Sequence, residues 1–179
     1  MTAFTIGAED FLLDGRPHRI LSGALHYFRV HPGHWADRIE KARLMGLNTI
    51  ETYVAWNAHE PRRGEWGVTG GNDLGAFLDL VADAGMHAIV RPGPYICAEW
   101  HNGGLPVWLT GMPGIGLRRS EPQYLAAGRS AGAGGGRPGV LRVAVSGEPE
   151  RLASRASPRG RGRSADFRAA RAAERARRV

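Results

Sequence analysis

From Trp35 the chain reads WADRIEKARLMG, with Trp35, Ile39, Ala42 and Met45 at spacings of four, three and three. That rhythm puts all four on one face of a helix, and Gly46 follows where a left-handed residue ends one. A second helix is predicted behind Asn72 or Asp73, either of which can cap the unpaired N–H groups of a first turn. Its apolar stripe is Leu74, Phe77, Leu78 and Val81, at i, i+3, i+4 and i+7, and Gly85 stops it. Strand patterns alternate with these helices: residues 21–25, residues 49–54 and the β-branched run His87–Arg91 that ends at Pro92. Before them, FTI and FLL, the turn signal Asp14-Gly15 and then RPHRIL predict a hairpin leading into the first of the three. Strand, helix, strand, helix, strand with short joints implies parallel βαβ units, because parallel neighbours need a crossover. The predicted fold class is therefore α/β. Such sheets carry their chemistry at the C-terminal ends of the strands. There His26-Tyr27, residues 53–60 and residues 94–102 would open on one face.

Composition divides the chain in two. Residues 1–124 hold 11 Lys+Arg against 13 Asp+Glu, with all seven His and all five Trp. Residues 125–179 hold 13 Arg against four acids and one aromatic, Phe167, so the net charge of +7 belongs to the tail. From Ala126 the periodicity fails: AAGRSAGAGGGRPG and the Arg-rich stretch after it read as a disordered tail, with a weak helix at 165–178 as the exception. The domain reading is 4–125 for one globular segment and 126–179 for the tail. No run of about 18 apolar residues suggests a membrane span. The first residues carry acids early and lack a basic flank before a long apolar stretch, which argues against a signal peptide. The single Cys97 excludes an internal disulfide. The expectation is a soluble, cytoplasmic chain.

Three carboxylates, Glu51, Glu60 and Glu99, stand beside aromatic residues near strand ends. Paired carboxylates suit glycosidic bond cleavage, with one as acid/base and one as nucleophile roughly 5 Å apart in retaining enzymes. Trp56, Tyr95, Trp100 and Trp108 could serve as platforms for the apolar faces of sugar rings. Both features are also compatible with a packed α/β core: Glu60 before Pro61 can bond to its own loop, and Glu51 alternates within a strand. His31 with His34, or Cys97 with His101, does not complete a four-ligand zinc pattern. No metal is expected. Gly132 to Gly136 lacks the Lys-Ser/Thr of a phosphate loop, and Cys97 has no partner marking it as a nucleophile. The Arg-rich tail could neutralise phosphates non-specifically. Against nucleic acid as a partner, no aromatic interleaves the arginines, and one Lys against 23 Arg reflects coding bias.

Two stretches, YVAWNAHEP and RPGPYICAEWHNGGLPVWL, together with FLLDGRPHRILSGALHYFRVHPGHWADRIEKARLMGLNTIETYVAWNAHEPRRGEW and LRRSEPQYL, closely resemble glycoside hydrolase family 35, the β-galactosidases. The resemblance covers residues 1–124 and implies the N-terminal part, about three βα units, of a (β/α)8 TIM barrel. It further implies retaining hydrolysis of terminal β-linked galactose, with a galactoside as partner and no cofactor. By position, Tyr53 resembles the family's sugar-binding tyrosine. Ala98 and Glu99 resemble the pair lining the galactose pocket, with Ile96 and Cys97 on the same wall. Asn57, His59, Glu60 and Trp100 sit in family motifs and take shaping roles. The family's acid/base is the Glu of an Asn-Glu-Tyr-Gly motif at the end of the fourth strand, and its nucleophile is a later Glu.

No Asn-Glu pair occurs in the 179 residues, so no residue here inherits either catalytic role, and without both carboxylates the retaining mechanism lacks its proton donor and its glycosyl acceptor. Three of eight strands cannot close a ring, and an open parallel edge exposes backbone donors, so a marginal or aggregation-prone product is expected. An Arg/Ala/Gly/Pro mixture is what a high-GC gene yields when read out of frame. The expected outcome of sequencing downstream of codon 125 is another frame that reads towards an Asn-Glu-Tyr-Gly motif. A single uninterrupted frame supported by transcripts and peptides would overturn the frameshift reading.

Overall fold

The computed structural model describes residues 3–131 and 142–144. Two sheets form. The first is an antiparallel meander of β1 (Phe4–Ile6), β2 (Phe11–Leu13) and β3 (Arg16–Pro17), turning through Asp14 and Gly15, both at positive φ. The second has the order β4 (Ser22–Ala24), β5 (Thr49–Tyr53), β6 (His87–Arg91) and β7 (Arg142–Ala144). Its first three strands are parallel, with Ser22 beside Thr49 and Thr49 beside His87. Helix α1 (Trp35–Leu44) crosses from β4 to β5 and α3 (Leu74–Asp83) from β5 to β6, as parallel pairing demands. The short α2 (Trp56–His59) follows β5, while α4 (Val107–Thr110) and α5 (Pro122–Ala131) come after β6. Among the described residues, no helix is long and apolar enough to cross a membrane.

Local chemistry sets the helix ends. Asp73 accepts from the Ala76 N–H at 2.8 Å and caps α3, while Gly85 leaves it at φ 70°. Gly46 leaves the α1 turn at φ 90°. Both helices lay their apolar stripes on the sheet. Trp35 and Ile39 from α1 and Phe77 and Val81 from α3 bury against Tyr27, Ile50, Met86 and Ala88. Met45 departs from the predicted stripe and is 79% exposed, because α1 ends at Leu44 and the next residue belongs to the cap. At the opposite end of the sheet, Asn48 accepts from Leu21 N–H at 2.9 Å and donates to Arg19 O at 2.8 Å, fixing the approach to β4.

A buried polar chain ties the end of β4 to the loop after β5. His59 Nδ1 lies 2.8 Å from Gly67 O, which can only accept, so Nδ1 carries the proton. Nε2 is then an acceptor, and the Tyr27 hydroxyl donates to it at 2.5 Å. Burial holds the His59 pKa below its ordinary 6.5 and pushes that of the Tyr27 hydroxyl up. Trp66 stacks on the His59 ring with centroids 5.1 Å apart.

The boundary expected at 126 falls inside a helix. Tyr124 and Ala127, three residues apart on α5, pack against Trp56, Leu105 and Leu109 in a second apolar cluster, and that contact carries the helix through 126 to Ala131. β7 is a second correction to the disordered tail: Arg142–Ala144 pairs antiparallel with β6. Its sequence is RVA, with the β-branched Val143 at its centre. The weak helix expected at 165–178, and the remainder of the tail, lie outside the described residues.

Two outcomes follow from this packing. Phe77→Ala removes roughly 3–5 kcal/mol, a large fraction of the stability of any small domain. Limited proteolysis is expected to cleave that variant within α1 and α3 at protease levels the unchanged chain resists, with Met45→Ala indistinguishable from the unchanged chain. The second outcome is a pH dependence. His59 binds a proton near pH 6.5 when unfolded and only at lower pH when folded, so its contribution is intact above that value. Stability should therefore fall as pH drops from 6.5 towards about 5, above the range where carboxylates titrate. His26 and His87, also lowered by burial, add in the same direction. Urea midpoints across this window should show a shallower slope for His59→Gln than for the unchanged chain.

Candidate functional site

β5 and β6 end level, Tyr53 beside Arg91, β4 stops two residues earlier with Ala24 beside Glu51, and the segments leaving the three strands meet. β4 hands over to His26, Tyr27 and Phe28, β5 ends at Tyr53, and β6 ends at Arg91 before the loop through residues 92–102. Tyr53, Ala55, Ile96 and Ala98 form one buried cluster, with Phe28 and Trp100 packed on it. Cys97 and Glu99 alternate with Ile96 and Ala98 and lie exposed. The five expected wall residues thus sit on adjoining segments at one edge of the sheet, three facing inward and two outward.

Glycine builds this wall. The Ile96 N–H donates to Gly103 O at 2.8 Å, and a Cβ on Gly103 would lie 2.1 Å from the Tyr95 ring. Gly103 also stands at φ 59°, so any side chain would be both strained and blocked. Glu99 itself adopts φ 43°, a left-handed conformation costing an L-residue roughly 1–2 kcal/mol. It is held there by Arg29, whose guanidinium donates to the carbonyl oxygens of Ala98 and of Glu99, the latter at 3.0 Å. Hydrogen bonds from a charged donor are worth about 1.5–3 kcal/mol each, enough to offset the strain.

Arg91 covers the Tyr53 ring, 4.2 Å from its centroid, and pairs with Glu51 at 2.8 Å. His26 stacks on Phe28 with ring planes 1° apart and tilts over Tyr53 at 5.3 Å. Burial, aided by the Arg29 charge, lowers the His26 pKa and favours its neutral form. His26 stands where the sequence put it, at the end of β4, whereas Arg29 and Arg91 were not singled out by sequence reasoning. The available signal for these two arginines was position alone, since Arg91 closes β6 and Arg29 follows β4.

The carboxylates separate by environment. Glu51 is engaged by Arg91. Glu60 is 8% exposed and accepts from Trp56 Nε1 at 2.6 Å and from Gly64 N–H at 2.7 Å, which is the loop-bonding alternative. Glu99 is the exposed member of the three. Trp56, a candidate sugar platform, is instead 2% exposed: its ring meets Trp108 edge-on, and Leu105 and Leu109 pack around it. Trp100 is fixed through Nε1 to Asn57 Oδ1 at 2.9 Å, and Asn57 Nδ2 donates in turn to His101 O at 2.9 Å. Asn57, His59, Glu60 and Trp100 thus hold loops in place.

A cleft of about 430 Å³ opens elsewhere, between Glu60, Arg63, Trp108, Met112, Gln123 and Ala127, and neither Tyr53 nor any residue of 96–99 lines it. It is distinct from the wall at the strand ends. Among the described residues there is no group of three or more His, Cys, Asp or Glu arranged to hold a metal ion.

Comparison with known proteins places this arrangement. Residues 10–130 match the family model of glycosyl hydrolases family 35. The chain is 48% identical over 128 residues to a beta-galactosidase of Xanthomonas manihotis, covering 70% of this chain and 21% of that protein. It is 56% identical over 119 residues to the mouse beta-galactosidase-1-like protein, covering 66% and 18%. With human beta-galactosidase it shares 50% identity over 119 residues, 66% of this chain and 18% of that one. The chain therefore spans about a fifth of the length of the curated relatives it matches. Among solved structures, an exo-beta-1,4-mannosidase of Opitutaceae bacterium strain TAV5 superposes with a TM-score of 0.44 at 21% identity, over 63% of this chain and 21% of that one. With two thirds of its residues matched to the family model and half of those positions identical to curated members, the chain belongs to glycosyl hydrolases family 35.

Proposed function

We propose that residues 4–125 form the first three βα units of a retaining β-galactosidase barrel and supply one wall of its galactoside site, without its catalytic carboxylates. The observation that carries this reading is the meeting of Tyr53 with residues 96–99 at the C-terminal edge of parallel β5 and β6, with Glu99 turned to solvent. A carboxylate exposed beside a buried aromatic cluster suits a sugar, whose hydroxyls donate to the carboxylate while its C–H face lies on apolar surface. The relatives named as beta-galactosidases support galactose as that sugar. Tyr53 then contributes its hydroxyl while its ring, covered by Arg91 and His26, backs the wall with Ile96 and Ala98, and Cys97 and Glu99 face the ligand.

Chemistry is a separate matter from binding. Glycosyl transfer with retention needs a proton donor and a nucleophile on opposite sides of one bond. Glu51 and Glu60 are held by Arg91, Trp56 and Gly64 within the protein, which leaves Glu99 alone at the mouth. A wall with one accessible carboxylate binds and does not hydrolyse.

The expected outcome with the purified chain is therefore saturable binding of galactose, followed by calorimetry, with no turnover of a chromogenic β-galactoside. Glu99→Gln keeps the side-chain shape and removes the charge. It should weaken binding by roughly ten- to a hundredfold, matching the loss of one charge-assisted hydrogen bond. Tyr53→Ala should abolish binding. Turnover by the unchanged chain that Glu99→Ala eliminates would contradict the absence of catalysis, and unaltered affinity in Glu99→Gln would remove Glu99 from the site.

A further inference from the structure

The four-stranded sheet changes direction at its last member. β4, β5 and β6 run parallel, whereas β7 meets β6 antiparallel, with Ala88 opposite Ala144, Ile89 opposite Val143 and Val90 opposite Arg142. A fourth unit of the same series would enter parallel to β6 after its own crossover helix. β7 follows α5 in the chain yet runs the other way, so it occupies the outer edge of β6 without extending the series.

That edge is the reactive one. β6 is a five-residue β-branched strand, and an uncovered row of its N–H and C=O groups is a template for pairing with any passing chain. The strand that covers it has the features of a terminator. It is three residues long, and short edge strands discourage further strands from adding outside. LRVAV is also a β-branched alternation set within a stretch otherwise dominated by Arg, Gly and Ala.

The geometry points to Arg142–Ala144 acting as an intrachain edge cap, holding the position on β6 where the next barrel strand or a strand of another molecule would pair. The inference rests on strand order and register and does not depend on the galactoside reading. While β7 is docked, β6 cannot accept a parallel neighbour, so capping and barrel extension exclude each other.

The test is hydrogen exchange on the full chain, unchanged and with Val143→Pro, which removes a backbone donor and fixes φ in a short strand. A second variant ends at Ala131. In both, the amides of β6 should exchange at least about tenfold faster, while those of β5 keep their protection. Sedimentation should show larger species forming as concentration rises for the variants and to a smaller extent for the unchanged chain. Two results would overturn the cap. One is β6 exchange unchanged in both variants. The other is β5 and β6 losing protection together, which would make Arg142–Ala144 an integral part of the sheet rather than a cover on its edge.

Discussion

Parallel pairing of β4, β5 and β6 is the constraint on which the rest of the molecule depends. Hydrogen bonds of the ladder align Ser22, Thr49 and His87 at one end of the sheet, so the segments that leave all three strands emerge at the other. Each crossover then has to be a helix with one apolar stripe, because it lies flat on the sheet it connects. The core of Trp35, Ile39, Phe77 and Val81 over Ile50 and Ala88 is that requirement expressed in side chains. The meeting of Tyr53 with Ile96 and Ala98 is the same requirement expressed at the strand ends.

Much of this was legible in the sequence because it is written in period and punctuation. The α3 stripe with its Asp73 cap and Gly85 stop, and the His87–Arg91 strand, appear in the structure as the pattern predicts, since each is decided within about a dozen residues. The positions that misled are decided by distant neighbours. Trp56 reads as a platform until Leu105, Leu109 and Tyr124 close over it from beyond β6. The break at Ala126 reads as the end of order until Tyr124 and Ala127 find that same cluster. Low apolar content misjudges a helix that needs only two anchors.

The wall at the strand ends shows a similar division. Its members, Tyr53, Ile96, Cys97, Ala98 and Glu99, came from motif resemblance, and the residues that pose them did not. Arg29 and Arg91 work through a carbonyl pair, a carboxylate and a ring face supplied by other segments. Such partnerships leave no spacing for a sequence to display. They nonetheless decide which of three carboxylates is left unengaged by these contacts: Glu51 pairs with an arginine, Glu60 accepts from an indole and a backbone amide, and Glu99 is presented.

The hold of Arg29 on the Glu99 carbonyl joins residues 70 apart in sequence. Arg29 braces that left-handed backbone from the far side of both crossovers, so this brace is in place only when β4 and β6 have come together. Closing a loop of that length costs conformational entropy that local helix formation does not. The wall is accordingly built on long-range contact, complete only with both crossovers docked. A chain that has made its helices and its first strand pair would already hold most of its secondary structure, yet the surface around Glu99 would still lack its shape.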